Sequence, residues 1–258
     1  MKQLKAPVIS SIEAFPGTYL MWLEAPDIAK TARPGQFAMV GCGGDTVLPR
    51  PLSIHRVDGS QLALLFSVVG KGTNRLSQVK KGDTLDIFGP LGNGFRIDPG
   101  SRNLLLVAGG MGIAPLRFLA ETAASRGCAV KLHQGVNTAG QVFLDELSSH
   151  YTRVPRSGPI ESSASTVDGS SGVMGLATVI VPGLAEWADQ VFACGPAAMY
   201  RSMARMPELK GKSVQLSLEI MMGCGVGVCY GCTIKTKIGL KQVCKDGPVF
   251  EMGEVEVY

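Results

Sequence analysis

The spacing of apolar positions changes character twice along the 258 residues. Over residues 7–90 they fall in short alternating or continuous runs broken by Gly and Pro. This pattern predicts strands at 7–14, 18–24, 37–40, 51–57, 61–69 and 84–88. Asp58-Gly59 is placed to turn a hairpin between the fourth and fifth of these, and Pro34-Gly35 marks another turn. Residues 74–79 are the one short helix expected here. Strands at these intervals point to an all-β barrel or sandwich.

After the Gly/Pro-rich link FGPLGNGF (88–95) the pattern switches. NLLLVA (103–108) predicts a buried strand, GGMGIAP a glycine turn, and 116–126 a helix. A strand at 129–134, a helix at 142–149, a strand at 152–154, the start of a helix at 177–181, a strand at 190–194 and a helix at 197–206 follow. Strands alternating with helices indicate a mainly parallel sheet. The loops at Gly109, Asp168 and Cys194 then gather on its carboxyl edge, where such sheets bind ligands. The Ser-rich stretch 157–172 is expected to be a surface loop.

Composition narrows the classes. Hydrophobic residues make up 45% and charged residues 18%, which suits a well-buried globular chain. The longest apolar runs, such as 104–108, are far too short to span a bilayer. The basic start MKQLKAPVISSIEAFPG lacks a continuous apolar core, so no export signal and a reducing cytoplasm are expected. A net charge of +4 without basic runs argues against nucleic-acid binding. The 33 glycines suit a protein with many tight cofactor loops.

The densest chemistry lies at 221–249. Cys224, Cys229, Cys232 and Cys244 are spaced C-x4-C-x2-C-x11-C, with glycines at 223, 225, 227 and 231 between the first three. One loop supplying three thiolates and a later residue the fourth is the plant-type pattern of a [2Fe–2S] cluster. Glycines let the loop adopt positive φ and bring backbone close to inorganic sulfur. Zinc is the competing ligand, but zinc sites usually carry two C-x2-C pairs or a later histidine pair. Here there is one C-x2-C, and no histidine follows His150.

Three further motifs are weaker. Arg50-Pro51-Leu52-Ser53 places a cation and a hydroxyl on one strand face, suited to a diphosphate. Gly72-Thr73, before the expected short helix, offers N–H groups and a hydroxyl to the same anion. Alone, such an arginine is more often solvated, and Gly-Thr before a helix is more often an ordinary cap. GGMGIAP departs from the usual dinucleotide fingerprint by ending in proline, which still leaves the helix N–H groups free for an anion. His55, His133 and His150 have no nucleophile motif nearby and are expected to be ordinary core or surface residues.

In order, RPLS, GPLGNGF, GGMGIAP and ACGPAAM resemble the ferredoxin-NADP reductase superfamily, in which a flavin-binding β-barrel precedes a nicotinamide-binding α/β domain. With Leu218-Glu219 before the first cysteine and CKDGPVF (244–250) at the last, the chain is similar to the electron-transfer (iron–sulfur) subunits of class 1B dihydroorotate dehydrogenases. The resemblance covers essentially the whole chain. It implies a barrel at 1–98, an NAD-binding α/β domain at 99–212 and a [2Fe–2S] segment at 213–258. It implies FAD at Arg50, Pro51, Leu52, Ser53, Leu65, Phe66, Ser67, Gly72 and Thr73. The nicotinamide cofactor falls at Gly109, Gly110, Gly112, Pro115, Cys194, Gly195 and Pro196. Phe66-Ser67 stands where the family has an aromatic-basic pair, so a basic contact to the flavin is absent. Asp168-Gly169-Ser170 occupies the place of a recurrent family triplet, or is a plain turn. The implied partner is an FMN-containing catalytic subunit in an α2β2 assembly that oxidises dihydroorotate in pyrimidine synthesis. Related reductase subunits of hydrogenases, sulfite reductases or ferredoxin transhydrogenases share these modules. A zinc-stabilised module without redox function is the alternative from another class.

Overall fold

The alternating runs near the N-terminus close on themselves. In the computed structural model, which describes residues 1–44, 46–144 and 158–256, six strands form a closed barrel in the order β1-β2-β5-β4-β3-β6. They are β1 (Lys2–Phe15), β2 (Thr18–Glu24), β3 (Phe37–Val40), β4 (Arg50–Asp58), β5 (Gln61–Ser67) and β6 (Thr84–Leu91). Asp58-Gly59 turns the β4–β5 hairpin as expected, with Gly59 at φ +57°. Two short helices decorate the barrel, α1 (Pro26–Ala29) and α2 (Lys71–Leu76). The second begins earlier than the predicted 74–79, so Gly72 and Thr73 lie in its first turn. Thr73 Oγ1 fixes that turn by accepting from Val69 N at 2.9 Å and Gly70 N at 3.2 Å.

The second region is a seven-stranded sheet, ordered β10-β9-β8-β7-β11-β12-β15. Its parallel strands are β7 (Asn103–Gly109), β8 (Ala129–Val136), β9 (Ile160–Thr166), β10 (Val173–Met174), β11 (Gln190–Cys194) and β12 (Ser213–Ser217). Between them run α3 (Ile113–Ser125), α4 (Val181–Leu184), preceded by a 3-10 turn at Ala177–Ile180, and α5 (Ala197–Ala204). The C-terminal segment adds a hairpin, β13 (Thr233–Thr236) with β14 (Gly239–Gln242), then α6 (Val243–Asp246). Its last strand, β15 (Val249–Glu251), pairs antiparallel with β12.

Three expectations change. The Ser-rich stretch is not all loop: β9 lies within it and pairs along β8. Its serines hid it, yet Ser163 and Ser165 satisfy both ring nitrogens of His133 on β8, at 2.9 and 3.0 Å. Val142–Leu144 are not helical; the rest of the helix expected at 142–149, the strand at 152–154 and His150 lie outside the described residues. Strand β12 carries the sheet past residue 212, and β15 returns to it from the C-terminal segment.

One core spans barrel and sheet domain. Leu20, Trp22, Ala63 and Leu65 of the barrel pack with Leu104, Leu106, Leu116 and Leu119. His55 is fully buried at this junction, its Nδ1–H donating to the Ala114 carbonyl at 2.9 Å. Burial holds its pKa at about 3, against 6.5 for a free imidazole, and burial likewise lowers His133 to about 4. The sign follows from proton uptake: below pH 6.5 the unfolded chain binds a proton that folded His55 refuses. Its contribution is therefore complete above pH 6.5 and is lost as pH falls towards 3, up to roughly 5 kcal/mol. Thermal melts from pH 7 to pH 4 are expected to fall steeply in the wild type. His55→Gln should begin lower and fall less steeply; parallel slopes would refute this.

Candidate functional site

The four cysteines of the C-terminal segment are brought together as two pairs. Cys232 and Cys244, both buried, place their sulfurs 3.2 Å apart, and Cys244 N–H points at Cys232 Sγ at 3.4 Å. Cys224 and the exposed Cys229 form the other pair, the Cys229 thiol lying close enough to lower the Cys224 pKa. Val226 N–H points at Cys224 Sγ at 3.4 Å. Partial burial raises the Cys224 pKa, but the N–H groups of Val226, Cys229 and Val228 and the Cys229 thiol outweigh it, bringing it down to about 6. Cys244 is pushed up to about 12 by burial and by the Cys232 thiol beside it, so loading a metal here releases its proton.

Two glycines shape this loop. Gly225 and Gly227 have φ of +74° and +83°. A Cβ on Gly225 would meet Met39 Cγ of the barrel at 2.7 Å, and one on Gly227 would meet Gln242 Oε1 at 2.7 Å. Gln242 Nε2, in the same side chain, is buried and has no hydrogen-bond partner among the described residues. Thiol pairs, inward N–H groups and an unused buried donor suit a two-iron cluster, in which each iron takes two thiolates and the sulfurs accept hydrogen bonds. No three His, Cys, Asp or Glu side chains among the described residues gather around one ion position. Gly227→Ala is expected to fold but to hold iron poorly, because Cβ costs about 1–2 kcal/mol at such a φ and crowds Gln242. Iron content and the rate of visible bleaching measure this.

The segment is anchored by the link between the two domains. Asn93 Nδ2 donates to the carbonyls of Lys245 and Asp246 at 3.1 and 3.0 Å, and Asn93 N to Gly247 O at 2.6 Å. A Cβ on Gly92 would strike Pro248 Cδ at 2.6 Å. In sequence the link read as a mere connection; nothing local marks Asn93 as the cluster segment's anchor.

On the barrel, Arg50 begins β4 and its Nη1 donates to Leu48 O at 2.9 Å. Its guanidinium lies against Gly72, where a Cβ would sit 2.6 Å from Nε. The RPLS strand and the Gly72-Thr73 turn are thus one cradle, with Ser53 half-buried two residues along. This fits a diphosphate held by charge and N–H groups. Leu52, Leu65 and Phe66 turn their side chains into buried core, leaving their backbone for any ligand.

Between the barrel and the carboxyl edge of the sheet lies a cavity of about 500 Å³. Of the predicted residues, Ser67, Gly109, Gly110 and Pro196 line it, whereas Gly112, Pro115, Cys194 and Gly195 do not. Sequence reasoning missed the barrel hairpin Phe15–Thr18 and the end of β8 at Gly135–Asn137, which line it too. The hairpin reads as an ordinary turn. Gly135 is needed because a Cβ would come within 2.4 Å of the Ala177 backbone. The volume and the glycine walls suit part of a dinucleotide. Asp168 forms a tight turn at the cavity's edge, its Oδ1 accepting from Ser170 N and Oγ at 3.0 and 2.6 Å; these bonds lower its pKa.

Cys194, at the end of β11, meets the start of the cluster segment. Its thiol lies 3.9 Å from Glu219 Oε1. Burial raises both groups' pKa values, and Glu219 raises that of Cys194 further. Tyr200 Oη ties the same loop down, accepting from Gly195 N at 2.9 Å and donating to Ser217 O at 2.6 Å. Cys42 and Cys128 are buried and donate only to backbone carbonyls.

Comparison with known proteins matches this arrangement over its whole length. The chain is 37% identical over 257 residues to the "Dihydroorotate dehydrogenase B (NAD(+)), electron transfer subunit" of Caldanaerobacter subterraneus subsp. tengcongensis, covering 98% of both chains. It is 38% identical to the protein of the same name from Desulforamulus reducens, again with 98% of each covered. The chain belongs to the family of dihydroorotate dehydrogenase B electron transfer subunits. Residues 219–256, which hold all four cysteines, match the family model for the iron-sulfur cluster binding domain of dihydroorotate dehydrogenase B. Among solved structures, a chain of an NADH-dependent reduced ferredoxin-NADP oxidoreductase superposes with a TM-score of 0.84 at 29% identity, over 97% of this chain and 89% of that one. A ferredoxin NADP+ reductase from Neisseria gonorrhoeae shares the fold at 16% identity, with a TM-score of 0.64 over 80% and 90% of the two chains. The barrel and the parallel sheet are thus a ferredoxin reductase-like fold, followed by the cluster segment. No helix among the described residues is long and apolar enough to cross a membrane.

Proposed function

We propose that this chain carries electrons between NAD and an FMN-containing dihydroorotate dehydrogenase catalytic subunit, in the pyrimidine (UMP) pathway, within an α2β2 assembly of the cytoplasm. The pairing of Cys224 with Cys229 and of Cys232 with Cys244, in a chain matching named electron transfer subunits end to end, carries this reading. When bound, FAD exchanges hydride with the nicotinamide and single electrons with a [2Fe–2S] cluster, a conversion neither neighbour can perform alone. The chain's residues bind, orient and exclude water.

The division of labour follows three modules: a barrel at 1–98, an NAD domain at 99–212 that borrows β12 and β15, and a cluster segment from 213 to 258. Arg50, Ser53, Gly72 and Thr73 hold the FAD diphosphate. The backbones of Pro51, Leu52, Leu65, Phe66 and Ser67 flank its flavin. Gly109, Gly110 and Pro196 face the nicotinamide cofactor, with Gly112, Pro115, Cys194 and Gly195 fixing the two loops from behind. Cys224, Cys229, Cys232 and Cys244 ligate the cluster.

Purification without air tests the whole reading. Flavin and cluster absorption, with iron and acid-labile sulfide near about two each per chain, is the expected result. Mixing with the catalytic subunit should give orotate formation linked to NAD reduction. A colourless, zinc-loaded protein would end it. The likeness to the NADH-dependent ferredoxin-NADP oxidoreductase supports a second reading, a subunit serving ferredoxin. Ferredoxin reduction without coupling to the dihydroorotate partner would select it.

A further inference from the structure

Strand β4 begins with Arg50 and Ser53 and continues into His55 and Arg56, both of which meet helix α3. On a regular strand, neighbouring side chains point to opposite faces. Here the β4–β5 register breaks between Ile54 and Arg56, and such a break re-aims a side chain. His55 Nδ1–H donates to the Ala114 carbonyl at 2.9 Å. Arg56 Nε donates to Glu121 Oε2 at 2.9 Å, and the other Glu121 oxygen accepts from Arg117 Nε at 3.0 Å. The three charged side chains are at most 6% exposed.

Ala114, Arg117 and Glu121 follow one another at i, i+3 and i+7, a single stripe of α3. The barrel therefore grips the helix at two levels about 10 Å apart along its axis. Two such grips fix both rotation and translation. Helix α3 starts directly after the Gly109–Gly112 turn, so whatever fixes the helix also fixes that turn.

A charged trio is a poor choice for stability alone. Desolvating three charges offsets much of their attraction, and packed apolar side chains of similar size are commonly as stable. What hydrogen-bonded ions supply, and an apolar contact does not, is a defined distance and angle. We propose that Arg56, Glu121 and Arg117, with His55, are positioning residues that set the nicotinamide loop in register with the flavin-bearing strand. This rests on the cofactor assignment above, in which β4 flanks the flavin and the Gly109–Gly112 turn lies at the nicotinamide. Hydride transfer is sensitive to displacements near 1 Å, so the lock governs the rate of that step rather than affinity.

Stopped-flow reduction of the flavin by NADH, without air and across NADH concentrations, separates the two. The triple variant Arg56→Met/Arg117→Leu/Glu121→Leu is expected to keep its flavin and cluster and to melt no lower than the wild type. Its half-saturating NADH should stay within about twofold, while the limiting rate of flavin reduction falls at least about tenfold. Arg56→Lys, which keeps the charge but not the planar geometry, should also lose limiting rate. Wild-type limiting rates in a folded triple variant would overturn the proposal. Should that variant not fold, a wild-type rate in Arg56→Lys would overturn it equally. Failure of the cofactor assignment has a different signature: wild-type protein would lack a flavin that NADH reduces.

Discussion

Cys229→Ala is expected to abolish electron delivery to the partner subunit while leaving the fold intact. Cys229 is the exposed member of the four cysteines and contributes nothing to the core, so its removal should shift the melting temperature little. Its sulfur would lie 3.5 and 3.6 Å from Cβ atoms placed on Gly223 and Gly231, at the centre of the glycine loop. Without it the Cys224 pair has one thiolate, and an iron with a missing protein ligand is lost or labile. Iron and sulfide should fall well below the wild-type content, and NAD-linked orotate turnover with the catalytic subunit should drop by at least about a hundredfold. Flavin reduction by NADH should remain within about twofold, because the Arg50–Gly72 cradle and the cavity are elsewhere. Wild-type turnover in the variant would remove this cysteine from the cluster.

Gly112→Ala should damage the nicotinamide side of the relay and the fold together. A Cβ on Gly112 would lie 1.8 Å from the Cys194 carbonyl oxygen and 2.4 Å from its carbon. Both contacts are with backbone, so no side chain can rotate away. Relief requires the turn after β7 to separate from the end of β11, and these two loops form one wall of the interdomain cavity. The strain is on the order of 3 kcal/mol. The melting temperature should fall, and the NADH concentration that half-saturates flavin reduction should rise at least about tenfold. Cluster content should change far less in the folded fraction, since Gly225 of the cysteine loop lies against Met39 and Leu91 of the barrel. Unchanged NADH saturation would show that the GGMG turn does not face the nucleotide.

Much of this was legible in the chain because local rules and burial agree there. Every barrel strand expected from alternation is present, and 18–24 and 37–40 have the expected ends. The β7–turn–α3 unit was visible because a fully apolar strand, a glycine turn and a helical stripe follow one another without interruption. Strand β9 was not, because its serines match no burial pattern; its place is set by the ladder to β8 and by His133. The boundary that the resemblance implies at 213 puts β12 in the cluster segment, whereas its pairing with β11 makes it a strand of the sheet.

Periodicity and spacing along the chain account for the barrel, the parallel α/β sheet and four thiols whose spacing suits a two-iron cluster. Those are properties of neighbours along the chain, and periodicity and spacing report them directly. Which of these parts meet is set by tertiary packing. It sorts the thiols into two pairs, ties the cluster segment to Asn93 and to the sheet through β15, brings Arg50 onto Gly72, and grips α3 with Arg56. The thiol pairs apart, such contacts join residues tens to more than a hundred positions apart. They depend on which surfaces bury each other once the barrel and the sheet have closed, and no local pattern encodes that choice.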